Sequence, residues 1–336
     1  MGKRKHRRRS SARGTQKRFR YNLRGAIWLI AILCTVGGIF AQQCGWQPSL
    51  RSMRRSLTAS AIPQTDALRV ATWNLRNFPG RGQDVQGVAD SVRALHASLV
   101  AVQEIKNPDE LRSRLPGKIL LLSKGGGKGH QRLGFAYDPV LLDAVGAPRE
   151  HRELTAGGRV RPAFAQTFRL RASGEPFDAI VVHLKAMPKG AALRERQWVQ
   201  LASIADRASA RVIVLGDFNP VGGEGRTAHE ELLALEGALV DTGLQRIPVE
   251  DGCSAYWDGP RRDAWKEPSL LDLIFVRGFG ERQILVAHAG GHCAANGCES
   301  LRSTDAYPDP SFETFSDHCP VHVDLPVGTR DIDVTP

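Results

Sequence analysis

Short apolar runs recur along the chain from Leu68 onward, and each is ended by residues that favour turns. Several runs are rich in Val and Ile and are bounded by Gly, Pro, Asn or Asp, which is typical of buried β-strands. The pattern predicts strands at Leu68–Trp73, Ser98–Val102, Leu133–Tyr137, Ala163–Leu170, Phe177–Leu184, Arg211–Leu215, Leu270–Val276 and Pro320–Leu325.

Helical spacing appears between some of the predicted strands. Asp84–Leu95 shows it, and so does Gly190–Ala210, in which Trp198 and Ile204 belong to one apolar face. No internal repeat is visible in the sequence. Strands and helices mixed over about 260 residues predict a single α/β domain with layered sheets, which we place at residues 66–327.

The N-terminal part of the chain has a different character. Residues 1–24 hold eleven Lys or Arg and no acid, and residues 25–41 follow as an apolar stretch of 17 residues without a charge. A stretch of this length is at the short end of what spans about 30 Å of hydrocarbon. Residues 42–65 are polar and contain two prolines, which indicates a linker, and residues 328–336 form a C-terminal tail.

The basic and apolar segments together indicate membrane targeting. An uncleaved signal anchor, a transmembrane helix, would keep the basic end in the cytoplasm. A secretory signal peptide would instead be cut near Ala41. A buried core helix is the third interpretation, and the adjacent cations disfavour it. We favour the anchor, with an extracytoplasmic domain in the periplasm or outside the cell; secretion is the alternative.

The net charge of +11 is not a property of the predicted domain. Without the eleven cations of residues 1–24, 35 of the 46 Lys and Arg remain, and they balance the 35 Asp and Glu. Attraction of a polyanion must therefore come from a local patch. The hydrophobic fraction of 42% suits a globular chain and gives no sign of disorder.

The cysteines are compatible with an oxidising compartment. Five of them follow the apolar segment: Cys44, Cys253, Cys293, Cys298 and Cys319. Cys293 and Cys298 flank a loop short enough for a disulfide to close. Because the number is odd, we expect at least one thiol to be free or paired with another molecule. His288 and His292 with Cys293 and Cys298 offer an alternative zinc site, although their spacing matches no common zinc finger.

Polar side chains stand where several buried runs end. They are Asn74, Glu104, His183, Asp217, Asn219, Asp272, Asp317 and His318. One Asp or Asn after a strand is usually a turn residue or a helix cap. Asp272 is different, because an ionised carboxylate inside an apolar strand is costly unless it is paired. So many departures in one domain indicate a shared site.

The ordered motifs WN, QE, HLK, GDFN, LDLIF and SDH resemble those of the endonuclease/exonuclease/phosphatase family. This family includes deoxyribonuclease I, exonuclease III-type repair nucleases, inositol polyphosphate 5-phosphatases and neutral sphingomyelinases. The resemblance covers about residues 66–327, and GDFN and SDH are its most specific elements. It implies a deoxyribonuclease I-like, four-layered α/β sandwich, in which helices flank two mixed β-sheets and strand ends converge on the site.

The resemblance also implies a metal site. Glu104 would be the principal ligand of a Mg²⁺ ion, with Asn74 and Asp317 beside it. Oxygen ligands that leave positions for water and phosphate suit Mg²⁺, and Mn²⁺ and Ca²⁺ are alternatives. Lys106 and Lys185 would either face a phosphate or be ordinary solvated lysines.

The remaining motif residues would carry the acid–base chemistry. His318 would be held and made more basic by Asp272. Asp217 would orient or deprotonate the attacking water, and Asn219 would donate a hydrogen bond to a phosphate oxygen. His183 would contact phosphate or help the leaving oxygen depart. The sequence leaves the identity of the general base open, because neighbouring ionisable groups titrate together.

The expected activity is metal-dependent hydrolysis of phosphodiester bonds by an endonuclease acting on DNA, or on both nucleic acids. A sphingomyelinase-like lipid phosphodiesterase and a phosphomonoesterase are the alternatives, and an inactive membrane-tethered binding module is a more distant one. Gln131 stands where the deoxyribonuclease I branch has a carboxylate that supports the histidine at His183. This departure counts against His183 as a strong acid. No obligate protein partner is evident.

One loop bears on the choice of substrate. Residues 251–266 contain Tyr256, Trp257 and Trp265. These aromatic side chains would contact lipid, stack on bases or pack beneath the loop. The sequence does not choose among the three.

Overall fold

The computed structural model describes residues 67–127, 129–257, 263–280, 283–304 and 306–327. The predicted basic tail, apolar segment and linker lie outside the described residues, as do Cys34, Cys44 and the C-terminal tail. Within the described ranges, no helix is both long and apolar enough to cross a membrane. The predicted signal anchor therefore stays a prediction.

The described residues form fifteen strands and five α-helices. The strands are β1 (Ala67–Asn74), β2 (Leu99–Ile105), β3 (Ile119–Leu122), β4 (Arg132–Tyr137), β5 (Leu142–His151), β6 (Ala163–Leu170), β7 (Pro176–His183), β8 (Val212–Asp217), β9 (Gln245–Arg246), β10 (Ala255–Trp257), β11 (Trp265–Ser269), β12 (Asp272–Arg277), β13 (His288–Ala289), β14 (Leu301–Arg302) and β15 (Val321–Pro326). The α-helices are α1 (Val85–Ala94), α2 (Pro108–Arg114), α3 (Ala191–Asp206), α4 (Ala228–Val240) and α5 (Gly291–Asn296).

These strands build two large mixed sheets and one small sheet. The first large sheet has the order β13-β15-β1-β2-β4-β3, and the second has the order β5-β6-β7-β8-β12-β9. The pairs β1–β2 and β7–β8 are parallel, whereas their neighbours in each sheet pair antiparallel. The small sheet has the order β10-β11-β14.

Three apolar clusters place the sheets and helices in four layers. One cluster joins residues of both large sheets, a second joins the second sheet to α3 and α4, and a third joins the first sheet to α1 and α2. Alternation along a strand explains this arrangement, because successive side chains point to opposite faces. In β7, Val181 belongs to the cluster between the sheets and Val182 to the cluster beneath the helices. The predicted four-layered sandwich is confirmed.

All eight predicted strands occur, with small shifts at their ends. The prediction that Asp272 lies inside a strand needs adjustment. Asp272 is the first residue of β12, and Leu270 and Leu271 precede it. The carboxylate therefore stands at the edge of the sheet, where polar partners can reach it.

Two disulfides join the C-terminal part of the domain, and neither pairs Cys293 with Cys298. Cys253 is bonded to Cys298, and Cys293 is bonded to Cys319, with Cα separations of 5.8 and 6.1 Å. The bridge between Cys293 and Cys298, which the sequence allowed, does not form, because Cys293 is buried within α5 whereas Cys298 lies beyond its left-handed end at Gly297. Both sulfurs are consumed by disulfides, so the alternative zinc site lacks the thiolates that it would need.

Candidate active site

The site lies where strand ends from both large sheets meet. Asn74 ends β1 level with the residue before Glu104 in the parallel strand β2. His183 ends β7 beside Asp217, which ends β8, and Asp272 begins β12 on the other side of Asp217. The side-chain amide of Asn74 donates to Oδ2 of Asp217 at 3.0 Å, so this hydrogen bond joins the two sheets at their common edge.

Glu104 occupies an irregular position in its strand. The pairing of β2 with β4 shifts register between Val102 and Ile105, and Glu104 itself has a φ of 63°. Such bulges re-aim a side chain and concentrate near active sites. The backbone N–H of Asn77 donates to Oε2 of Glu104 at 2.9 Å, and Nε2 of His183 lies 3.8 Å from Oε1.

Asp217 is the hub of the site. Besides the amide of Asn74, it accepts the backbone N–H of Asn219 on Oδ1 at 3.1 Å. Its Oδ2 lies 3.3 Å from Nε2 of His183 and 3.9 Å from Nε2 of His318. One fully buried carboxylate therefore contacts two imidazoles and two amide groups.

The environment of Asp217 changes its acidity. Burial raises the pKa of Asp217, as do the carboxylates of Asp272 and Glu104, whereas His318 and the amide of Asn74 lower it. Together these effects bring the pKa of Asp217 to about 7. A carboxyl group that titrates near neutrality can both give and accept a proton at neutral pH.

Asp272 and His318 form a close pair. Nδ1 of His318 lies 2.7 Å from Oδ2 of Asp272. Burial alone would lower the pKa of His318, but the charge and hydrogen bond of Asp272, with Asp217 and Asp317, raise it well above its usual range. The imidazole is therefore held in its protonated form at neutral pH.

Ser254 supports this pair from below. Its hydroxyl donates to Oδ2 of Asp272 at 2.9 Å and accepts the backbone N–H groups of Leu271 and Asp272 at 3.0 and 2.8 Å. Ser254 is fully buried, so these bonds are shielded from water. The sequence analysis did not identify Ser254, because a single serine before an aromatic pair carries no distinctive signal.

His183 has a different environment from His318. Burial lowers the pKa of His183 well below its usual range, and the positive charge of Arg161 lowers it further. Its Nδ1 is buried without a hydrogen-bond partner among the described residues. The imidazole is therefore neutral, as the replacement of the supporting carboxylate suggested. Gln131 bonds to Oδ1 of Asn77 at 2.8 Å.

Arg161 is a site residue that the sequence analysis missed. Nη1 donates to Oε1 of Gln131 at 3.1 Å and Nη2 to the carbonyl of Leu184 at 3.4 Å, while Nε is buried without a partner in the described part of the chain. Burial lowers the pKa of Arg161, and Glu104 and Asp217 raise it. The guanidinium thus lies close enough to both acids to interact with them electrostatically. A lone Arg before a predicted strand gave no signal of this placement.

The candidate lysines are placed less centrally. Lys106 is exposed, and its backbone N–H donates to the carbonyl of Phe78 at 2.7 Å. Arg132 donates to the carbonyl of Lys106 at 3.1 Å. The ammonium group of Lys185 donates to the carbonyl of Ala186 at 2.8 Å. The hydrogen bonds of the Arg132 guanidinium and of the Lys185 ammonium group are thus made to backbone carbonyls rather than to the acids of the site.

The structure brings together most of the predicted site. Seven residues are connected by contacts of 3.9 Å or less: Asn74, Glu104, His183, Asp217, Asn219, Asp272 and His318. Asp317 lies at the margin, with Oδ1 3.8 Å from Nε of Arg76. The backbone N–H of Arg76 donates to Oδ1 of Asn74 at 3.0 Å, which ties the margin to the centre.

The sequence from residue 71 to residue 318 matches the profile of the Endonuclease/Exonuclease/phosphatase family. The match covers most of the chain and runs from β1 to His318. The chain belongs to this family. Members hydrolyse phosphoester bonds and are generally dependent on a divalent metal. A search of curated proteins finds no match.

Solved structures of the same fold cover 78% of this chain or nearly so. A humanised TDP2 of D. rerio has 16% identity, a TM-score of 0.57 and 99% of its own length covered. D. rerio TDP2 complexed with a single-strand DNA product has 15% identity, a TM-score of 0.57 and the same coverage. A mannosyl-6-phosphatase of Bacteroides thetaiotaomicron has 20% identity and a TM-score of 0.53, with 77% of this chain and 100% of that chain covered. At these identities the likeness shows the fold.

The donor set at the site fits a hard divalent cation. Glu104, Asn74 and Asp317 offer carboxylate and amide oxygens, the ligands that Mg²⁺ prefers. Asp217 is also close to two other carboxylates, those of Asp272 and Glu104. Burial and these like charges raise the pKa of Asp217 to about 7. A divalent cation would relieve that repulsion, so the residues present suit the metal that the family uses.

Proposed function

We propose that this protein is a Mg²⁺-dependent phosphodiesterase that cleaves nucleic acid, with DNA as the favoured substrate. The observation that most supports this proposal is the buried carboxylate of Asp217. Asn74 and His183 contact it directly, and the Asp272–His318 pair lies next to it. This arrangement offers one group that titrates near neutrality, one protonated imidazole and one neutral imidazole.

Each group has a task in the proposed reaction. Glu104, Asn74 and Asp317 would hold the metal, which when bound supplies a Lewis acid for the phosphate oxygens. Asp217 would accept a proton from the attacking water on a carboxylate oxygen.

The other groups would meet the charge that develops on phosphate. The protonated His318, oriented by Asp272, would face the negative charge of the transition state. The amide of Asn219 and the neutral imidazole of His183 would donate hydrogen bonds to phosphate oxygens, and Arg161 would add a buried positive charge. Concentrating donors and cations in a site shielded from water increases their effect on a developing anion.

The choice of nucleic acid rests on supporting observations rather than on the catalytic groups. One neighbour of the same fold is a TDP2 bound to a single-strand DNA product. Arg76, Arg81 and Lys106 line an open hollow beside Asn77, which contacts Glu104. Cations in a hollow next to the site suit a substrate that carries more phosphates than the one that is cleaved.

We also propose that the domain works outside the cytoplasm, anchored by residues 25–41 or secreted. The basic tail followed by an apolar stretch supports this localisation. The two disulfides support it as well, because such bonds persist in oxidising compartments.

The decisive experiment is cleavage of supercoiled plasmid DNA by the full-length protein with Mg²⁺ or with EDTA. We expect nicking with Mg²⁺ and none with EDTA or in a His318→Ala variant. His229→Ala, which changes an exposed histidine at the start of α4, is the matched control and should nick normally. Folded protein that spares DNA and RNA but releases phosphocholine from sphingomyelin, or phosphate from sugar phosphates, would overturn the nuclease proposal.

A further inference from the structure

The small sheet presents two tryptophans on one face. In the register of β10 and β11, Trp257 pairs with Glu267, and Trp265 lies two residues before Glu267. Cross-strand partners share a face and alternate residues along a strand do too, so both indoles project from the same side. Diagonal positions of this kind lie roughly 7–8 Å apart. Trp257 is 50% exposed and Trp265 is 48% exposed.

The exposure of these rings is not a sign of a loosely held sheet. Tyr256, which precedes Trp257 and points to the opposite face, is buried and donates its hydroxyl to the carbonyl of Glu299 at 2.7 Å. The disulfide from Cys253 to Cys298 ties the start of β10 to the segment after α5. The sheet is thus anchored on its buried face, and the two indoles remain available on the other.

The small sheet is hydrogen-bonded to the segment that contains Asp317 and His318. The backbone N–H of Tyr256 donates to the carbonyl of Asp317 at 2.9 Å, and Ala255 forms a bridge with His318. Trp257 is therefore two residues, or about 6.6 Å of strand, from the residue paired with His318. This spacing puts the aromatic face beside the groups that would act on phosphate.

We propose that Trp257 and Trp265 form a stacking platform for unpaired bases of the nucleic-acid strand whose phosphodiester is cleaved at His318. The inference rests on the proposed function and narrows its substrate to single-stranded nucleic acid or to locally unpaired segments. Every base has a π-face, so such a platform gives affinity without sequence preference.

The surroundings of the platform favour nucleic acid over a lipid surface. Arg302 pairs with Trp265 across the sheet and shares its face, and its guanidinium lies 4.5 Å from the ring centroid of Tyr307. Glu267 stands between the two tryptophans on that face. Aromatic rings interleaved with an exposed Arg are typical of single-strand binding surfaces. A membrane-inserting surface would instead be a continuous apolar patch.

The test compares three substrates with the full-length protein: a single-stranded oligothymidylate, a DNA duplex and bis(p-nitrophenyl) phosphate. In a Trp257→Ala/Trp265→Ala variant we expect KM for the single strand to rise at least about tenfold. Activity on the small diester should stay unchanged, because it has no neighbouring bases. Val199→Ala/Val240→Ala, which removes two exposed apolar side chains from α3 and α4, is the control.

A binding measurement makes the test independent of catalysis. The Kd of a labelled oligothymidylate, measured by anisotropy in EDTA, should rise about tenfold in the double variant and be largely restored by Trp257→Phe/Trp265→Phe. Unchanged Kd and KM would overturn the platform even if the small diester is cleaved. Loss of binding to sphingomyelin–phosphatidylcholine vesicles, with oligothymidylate binding intact, would also overturn it. If no diester is cleaved, the proposed function fails, and the Kd still decides the platform.

Discussion

His318 and Asp272 are joined by a contact of 2.7 Å between Nδ1 and Oδ2, and the hydroxyl of Ser254 donates to the same carboxylate oxygen at 2.9 Å. The carboxylate therefore has a fixed orientation toward the imidazole. Because His318 is protonated, both ring nitrogens carry a proton: Nδ1 donates to Asp272, and Nε2 faces Asp217. We therefore expect Asp272 to orient and charge His318 rather than to contact substrate.

Replacing Asp272 by Asn should therefore change the pH dependence of the reaction. Burial lowers the pKa of His318, and the charge of Asp272 raises it well above its usual range. Without that charge the pKa of His318 falls, so the imidazole loses its proton at a lower pH. We expect kcat to drop by about 10²–10⁴-fold and the alkaline limb of the kcat profile to move to lower pH. Plasmid nicking between acid and alkaline pH measures both effects.

The matched control for this change is Asp206→Asn, at the exposed end of α3. It should leave the rate and the pH profile as they are. A Ser254→Thr variant should keep the hydroxyl and the wild-type profile, whereas Ser254→Ala should move the profile in the same direction as Asp272→Asn. An Asp272→Asn enzyme with reduced kcat but an unmoved alkaline limb would show that His318 does not set that limb.

Replacing Arg161 should lower the activity but leave the stability of the domain nearly unchanged. Its guanidinium is largely buried, and it donates hydrogen bonds to the neutral oxygens of Gln131 and Leu184. A buried cation without a bonded carboxylate is an unfavourable feature of a folded chain, and an anionic substrate would compensate it. We expect Arg161→Met to lower kcat/KM by about 10²–10³-fold. The free energy of unfolding should change by less than about 1 kcal/mol.

Steady-state cleavage and urea unfolding of the same preparations measure the two quantities. Arg159→Met is the control, because Arg159 is exposed and two residues away. If Arg161→Met is strongly destabilised and its kcat/KM per folded molecule is normal, then the guanidinium is structural and does not contact substrate.

The layered fold could be predicted from sequence because its central strands are short runs that are buried on both faces. β7 shows this, since Val181 and Val182 contribute to different clusters and leave no polar alternation to confuse the pattern. β5 was not predicted, because its middle is largely exposed and reads as loop. α4 was also missed, although Thr227 and Glu230 form a capping box at its start.

The site was predictable where a polar residue ends an apolar run and unpredictable where it depends on distant contacts. Asp217 and Glu104 could be found because each follows a buried strand. Arg161 and Ser254 reach the site through tertiary contacts that no spacing in the sequence reveals. The sequence left the disulfide pairing open for the same reason, because Cys319 is 26 residues from its partner.

The disulfide between Cys293 and Cys319 should stabilise the whole domain and also hold the segment around His318 in place. It closes a loop with a sequence separation of 26 and joins α5 to the residue after His318. Loop-closure entropy predicts a loss of about 3–4 kcal/mol in the free energy of unfolding for Cys293→Ala/Cys319→Ala. Urea unfolding should show that loss, and plasmid nicking should fall as the His318 segment loosens. Cys44→Ala, outside the described residues, is the control.

A reducing agent gives a second route to the same state. Wild type treated with it should lose at least as much stability as the double variant, because the bridge between Cys253 and Cys298 is also opened. The double variant should then lose only what that second bridge contributes. Equal unfolding midpoints for oxidised wild type and Cys293→Ala/Cys319→Ala would contradict the assigned contribution of this disulfide.

His322 should make the domain sensitive to mild acid. Burial, together with Arg69 and His288 and against the opposing effect of Asp324, lowers the pKa of His322 from 6.5 to about 4. Between pH 6.5 and about pH 4, His322 binds a proton in the unfolded chain but stays neutral in the folded domain. The free energy of unfolding should therefore be unaffected above pH 6.5, fall as the pH drops toward 4, and lose about 2 kcal/mol over that interval after allowance for partial exposure.

The measurement is urea unfolding of wild type and His322→Gln across this range of pH. Gln has no proton to gain, so the difference in unfolding free energy between the two proteins should move in favour of the variant as the pH falls. The exposed His229, changed to Gln, serves as the control and should follow wild type. Parallel curves for wild type and His322→Gln would mean that His322 is protonated as readily in the folded domain as in the unfolded chain, because only a difference in proton binding between the two states makes stability depend on pH.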